Sequence, residues 1–187
     1  MRKLLALVAL VLTFASAGVH AATIVALDLP TLIEQSDLVV LAHVDTETSR
    51  YVDGLIVTDT NLRVVSALKG SVAVGSTVTA THLGGSVGSV ELTVPGAARF
   101  AIGQNEIVFL RRAADGGAFN VTGMTQGVMP INGSGDSAIV VTGNHSGATL
   151  MERDSNGAFV PKPNVAPTQQ TLSDLLANIR RIVAGAN

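Results

Sequence analysis

Apolar residues alternate in two registers at once across residues 37–48, with Leu38, Val40, Ala42 and Val44 on one face and Val39, Leu41, His43 and Asp45 on the other. The first half is apolar on both faces, which predicts a central strand covered on both sides, with flanking helices as the covers. Asp53-Gly54 predicts a turn. Residues 55–68 then predict a second strand in which Thr58, Thr60, Leu62 and Val64 share a face. Adjacent Val64 and Val65, followed by Ala67, break the period of two, so a bulge is expected near Val65. Lys69-Gly70 ends this strand and Gly75-Ser76 opens a third over residues 77–83, with Val78, Ala80 and His82 on one face and threonines on the other. Further strands are expected around residues 87–94 and 106–112. Ile107-Val108-Phe109-Leu110 is too apolar on both faces for an open surface.

The connections carry their own signals. Gly84, Gly85 and Gly88 are suited to positive-φ turns, and Pro95-Gly96 and Asp115-Gly116-Gly117 mark two more reversals. After Phe119 and Val121, shorter apolar runs at residues 127–131 and 138–141 flank Asn132-Gly133-Ser134-Gly135-Asp136. Residues 143–167 read as loop, since Pro161, Pro163 and Pro167 oppose regular pairing. Two helices frame the strands. Pro30 at a first helical position, with Leu32 and Ile33 facing inward, predicts one or two turns near residues 29–36. At the other end Thr171 caps, Asp174 is the capping-box acid, and Leu172, Leu175, Leu176, Ile179, Ile182 and Val183 form one apolar stripe. The organisation expected is a signal peptide at 1–21, a β-barrel domain at 22–142, a loop arm at 143–170 and a terminal helix at 171–187 packed on the barrel.

The start of the chain changes where this fold is expected to work. Met1-Arg2-Lys3, an apolar run to Phe14 and small residues through Ala21 read as a secretory signal, with cleavage between Ala21 and Ala22. No segment approaches the roughly 20 apolar residues of a membrane-spanning helix, so a secreted or periplasmic protein is expected. Twelve Lys and Arg stand against fourteen Asp and Glu, and cleavage removes Arg2 and Lys3, leaving a net charge of −4. That balance argues against nucleic acid as a partner. There is no cysteine, so neither a disulfide framework nor a lipidated cysteine supports the fold, and packing must hold it.

Chemistry-bearing residues are sparse. His43 and His82, joined by Glu91 or Asp45, are zinc candidates if their strands are neighbours, although no two histidines show ligand-like local spacing and isolated strand histidines are the better reading. Asn132, Ser134 and Asp136 have the i, i+2, i+4 spacing of a calcium loop but lack its closing acid, and a solvated turn is the better reading. Gly84-Gly85-Ser86-Val87-Gly88 lacks the Lys-Ser/Thr ending of a phosphate loop and is followed by a strand pattern. Ser86 and Ser89 lie near His82 without the strand-elbow-helix context of a hydrolase nucleophile. No catalytic residue and no cofactor motif is assigned.

The order of Ser36-Asp37-Leu38-Val39-Val40, Leu68-Lys69-Gly70, Gly84-Gly85, Val94-Pro95-Gly96 with Phe100 and Gly103, and Ile107-Val108-Phe109-Leu110 resembles a family of uncharacterised exported bacterial proteins. Those proteins look in turn like the OB-fold of netrin-like domains and tissue inhibitors of metalloproteinases. The resemblance spans residues 29–131. It implies a mainly β fold, an OB-like Greek-key barrel with additional strands, and a binding rather than catalytic role. The inhibitors place an N-terminal cysteine on zinc, which this chain cannot do.

The expected function is an exported binding module that meets an extracellular or periplasmic protein, or another ligand, through the long loop region 84–98. Its expected contacts are Gly84, Gly85, Ser86, Gly88, Glu91 and Arg99. The alternatives are a metal-dependent or serine hydrolase using His82, and a structural or surface-matrix protein.

Overall fold

The computed structural model describes residues 22–114, 116–135, 137–143, 147–162 and 167–185. The signal peptide reading, including Ala21, lies outside the described residues, as do Asp115, Asp136 and Pro163. The protein is mainly β. After a short strand β1 (Thr23–Val25), α1 (Leu29–Glu34) starts where Asp28 Oδ1 accepts the Thr31 N–H at 2.9 Å and Pro30 occupies the first turn. Lys69 Nζ donates to the Ile33 and Ser36 carbonyls, at 2.6 and 2.7 Å, fixing the C-terminal end of this helix to the sheet.

The long hairpin β2 (Leu38–Val52) and β3 (Leu55–Lys69) turns on Asp53 and Gly54, both at positive φ. The expected bulge is present: Leu41 pairs with Ser66 and Ala42 with Val64, leaving Val65 unpaired. A second irregularity falls at Asp45, because Val44 pairs with Leu62 and Thr46 with Asn61. β4 (Thr77–Leu83) follows. The strand expected over residues 87–94 is instead a small hairpin, β5 (Gly85–Val87) and β6 (Val90–Leu92), because Gly88 at φ +61° turns the chain between Val87 and Val90.

Next come β7 (Asn105–Arg112), β8 (Phe119–Val121), one 3-10 turn at Met124–Gly127, β9 (Val128–Asn132) and β10 (Ile139–Thr142). The stretch expected to be loop carries β11 (Thr149–Arg153), β12 (Phe159–Pro161) and β13 (Thr168–Thr171). β11 pairs with β1 and β12, forming a separate three-stranded sheet. Pro161 is tolerated because β12 is an edge strand, where a missing N–H leaves no ladder bond unmade. α2 (Leu172–Gly185) closes the chain, with Thr171 Oγ1 accepting the Asp174 N–H at 3.2 Å and donating to Asp174 Oδ2 at 2.6 Å.

The main sheet runs β13-β10-β9-β7-β2-β3-β4-β8, and β8 also pairs with β7. The return is short. β4 and β8 share two parallel residue pairs, and β9 takes part of the edge of β7 that β8 would need for full closure. The sheet is therefore not a clean barrel, which corrects the simple closed form expected from the resemblance.

The double alternation of β2 has a direct consequence in packing. Val39 joins Ile107, Phe109, Leu32, Ile33, Leu175 and Ile179 in a core between sheet and helices. Leu38, Val40, Ala42 and Val44 join Leu62, Val64, Val78, Ala80, Val108 and Leu110 in a second core enclosed by the strands. Among the described residues, no helix is long and apolar enough to cross a membrane.

Candidate functional site

A cleft of about 280 Å³ opens where β4 leaves the sheet, and its walls include Glu47, His82, Gly84, Gly85, Glu91, Arg99 and Phe100. The backbone makes this opening. Gly84 and Gly85 take φ of +96° and +123°, a sharp departure that side chains rarely permit. The turn is tied down by the Thr58 hydroxyl, which donates to the Gly84 carbonyl at 2.7 Å and lies 2.9 Å from Ser49 Oγ. A Cβ on Gly85 would run into both hydroxyls, so this glycine is required by close packing as well as by its φ. Across the cleft, Pro95-Gly96 reverses the chain, and the Gly96 carbonyl accepts the Thr125 N–H at 3.0 Å.

At the inner end His82 and Glu47 come together, with Nε2 of His82 3.6 Å from Oε1 of Glu47. Buried Thr60 links them: its hydroxyl donates to Glu47 Oε1 at 3.1 Å and lies 3.3 Å from His82 Nε2. The other ring nitrogen, Nδ1, is 3.3 Å from the Leu83 carbonyl. The His82 ring also packs on Phe100, centroid to centroid 5.5 Å. Toward solvent, Glu91 Oε1 accepts from the Thr93 hydroxyl at 3.2 Å and Arg99 is exposed.

Behind this wall lies Glu106, only 1% exposed. It shares the inward face of β7 with Val108 and Leu110, and its Oε1 accepts the N–H of Ala101, the residue after Phe100, at 3.1 Å. Oε2 is buried with no hydrogen-bond partner. Burial pushes its pKa up to about 7, the Glu47 charge pushes the same way, and the Ala101 N–H pulls against both. An unpaired buried oxygen of this kind is costly, which marks the position as unusual.

Of the residues singled out in the sequence, Gly84, Gly85, Glu91, Arg99 and His82 thus converge on one cleft. Ser86 and Gly88 stand on the β5–β6 hairpin outside its walls, with the Ser86 N–H 3.3 Å from Ser49 Oγ. His43 and His82 do not meet. β3 separates their strands, and His43 pairs with Arg63 on the solvent face, where its Nδ1 is 3.0 Å from Asn105 Oδ1 and Asp45 lies 3.9 Å from Nε2. Among the described residues no group of three His, Asp or Glu is placed to hold a metal ion.

Glu47 and Glu106 were not singled out in the sequence. The bulge at Asp45 hides Glu47, because simple alternation puts it on the face of His43, and the extra residue turns it inward opposite Thr60. Glu106 carried a readable signal, an acid in phase with the buried Val108 and Leu110. Compared with family models, curated proteins and solved structures, the chain matches none.

Proposed function

We propose that this chain is an exported, non-enzymatic binding module that takes its ligand in the cleft between residues 82–85 and 91–100. One observation carries the reading: residues chosen for a glycine-rich recognition loop and residues of a distant strand, Glu47 above all, line a single opening of about 280 Å³. The opening is polar, rigidly tied at Gly84 and rimmed by a long connection, features that favour recognition. Export rests on the reading of residues 1–21.

An OB-like Greek key is part of the same proposal. β2, β3 and β4 are joined by hairpins and β7 returns beside β2 after a long connection, a spatial order of β7-β2-β3-β4. The pairing of β8 with both β4 and β7 supports a partly open five-strand ring, within the range of OB folds.

The hydrolase alternative draws less support. The hydroxyl beside His82 is that of Thr60, which is fully buried and donates to Glu47, so it offers no accessible nucleophile.

The binding reading is tested by capture from the medium surrounding the producing cells. Doubling Glu91→Ala with Arg99→Ala, two exposed positions whose loss leaves the fold intact, is expected to reduce capture at least tenfold. Undiminished capture by the double variant would remove the cleft from consideration. Val at Gly85 is unsuitable for this purpose, since its clash with Ser49 and Thr58 would disturb the strands themselves.

A further inference from the structure

We propose that a second groove, along the free edge of β1, holds the carboxyl end of an extended peptide, with Arg111 and Arg153 taking its terminal carboxylate. The groove shares no wall residue with the cleft, so this goes beyond the reading above. Of about 540 Å³, it lies between the three-stranded sheet, Gln35 after α1 and Arg111 on β7, and its described walls carry no acid. Its two cations are unopposed. Arg50, Arg63 and Lys162 each face a carboxylate, whereas neither Arg111 nor Arg153 has an ionic partner among the described residues. In a chain of net charge −2, such a groove is a local attractor for an anion.

β1 gives the occupant a backbone to pair with. The Ala22 carbonyl and the Ala26 N–H bond to β11, so alternation turns the N–H and C=O groups of Thr23 and Val25 to the other edge, where no strand is paired. That edge is short. Gln126 closes it, because its Nε2 donates to the Val25 carbonyl and its Oε1 accepts the Leu27 N–H, each at 2.9 Å. An added strand therefore runs out of partners at Val25. Arg153 stands at this end, two residues beyond Met151, the residue paired with Val25. A chain that must stop there presents a terminus, and two cations select the carboxylate, so the peptide runs alongside β1 in the same direction.

One jaw of the clamp is held in place before any ligand arrives. Arg153 Nη1 donates to the Gly157 carbonyl at 2.8 Å, and its guanidinium lies 4.3 Å over the Phe159 ring, which fixes its plane and leaves its other N–H groups unpaired. A fixed planar fork suits the two oxygens of a carboxylate. The body of the ligand follows from the apolar surface beside it. Val25 and Phe159 are 49% and 47% exposed, and Leu27 and Met124 add to the wall. A bare phosphate or sulfate would use the arginines and waste this surface; a carboxylate next to an aliphatic side chain uses both.

The test is an amide-shift titration of the isotopically labelled full chain. The probes are the tripeptide acetyl-Val-Thr-Val with a free carboxyl end, the same peptide as its terminal amide, isovalerate, and inorganic phosphate. The free acid is expected to bind roughly tenfold more tightly than the amide, the worth of a charge-assisted pair, and to move Thr23, Val25 and Arg153 while the cleft stays still. Arg111→Gln and Arg153→Gln are each expected to weaken the free acid about fivefold and to leave the amide unchanged. The Arg111 side chain makes no hydrogen bond or ion pair among the described residues, so its variant decides the matter even if Arg153→Gln disturbs β12. Equal binding of acid and amide, no binding of the acid, or shifts confined to the cleft would overturn the proposal. Isovalerate or phosphate binding as tightly as the peptide would overturn the peptide as occupant.

Discussion

Truncating Leu175 or Ile179 to alanine is expected to cost about 2–5 kcal/mol each, read as a lower denaturation midpoint in urea with an unchanged slope. Both side chains are fully buried and share one core with Leu32, Ile33, Phe109 and Val140. They stand one helical turn apart, so the double variant should lose less than the two single losses added together. Against a typical domain stability of about 5–15 kcal/mol, either change is severe. The chain has no cysteine, hence no covalent brace to limit the damage. Arg180→Ala, on the exposed face of the same helix, should stay within about 0.5 kcal/mol. A small loss from Ile179→Ala would mean that α2 does not seal the sheet.

The second large effect concerns Glu106. Its folded pKa of about 7 lies above the ordinary carboxyl value of 4.5, because burial and the Glu47 charge disfavour the ionised form. The folded chain therefore holds this proton more tightly than the unfolded chain does. Stability is fully present below about pH 4.5, declines as pH rises toward 7, and levels off above it, for a total of about 3 kcal/mol from this group. Glu106→Gln keeps the shape and removes the ionisation. It is expected to flatten the decline between pH 4.5 and 7 and to leave the variant more stable than the parent at pH 8. Parallel pH profiles for the two proteins would show that Glu106 carries no such burden.

Much of the fold was legible because β2 and β3 obey the period of two strictly enough for its violations to stand out. The break at Val64-Val65 identified a bulge before any pairing was known. The terminal helix was readable for a similar reason, since its apolar stripe and its Thr171–Asp174 cap agree. The small hairpin β5–β6 was hidden by an unbroken Val-Glu-Leu-Thr-Val pattern that looks like a longer strand, although its own Gly88 marked the turn. The three-stranded sheet was hidden by prolines, whose effect depends on whether a strand lies at an edge, a property of topology rather than of local sequence.

The site was half legible on the same grounds. Glycines announce where a chain must depart from the sheet, so Gly84 and Gly85 led to the cleft from one side. The opposite side is built by Glu47, and its inward direction depends on one unpaired residue at Asp45 that no alternation rule anticipates. Longer-range pairing decides which polar side chains meet. That is why Glu47, Thr60 and His82 could be joined only with the strands in place.

The most direct test of the central claim is to map backbone amide shifts of the isotopically labelled chain on adding ligand enriched from the surrounding medium. The account expects the shifts to gather at Glu47, residues 82–85 and residues 91–101. Shifts gathered instead on β1, β11 and β12, with the amides of the cleft unmoved, would contradict it.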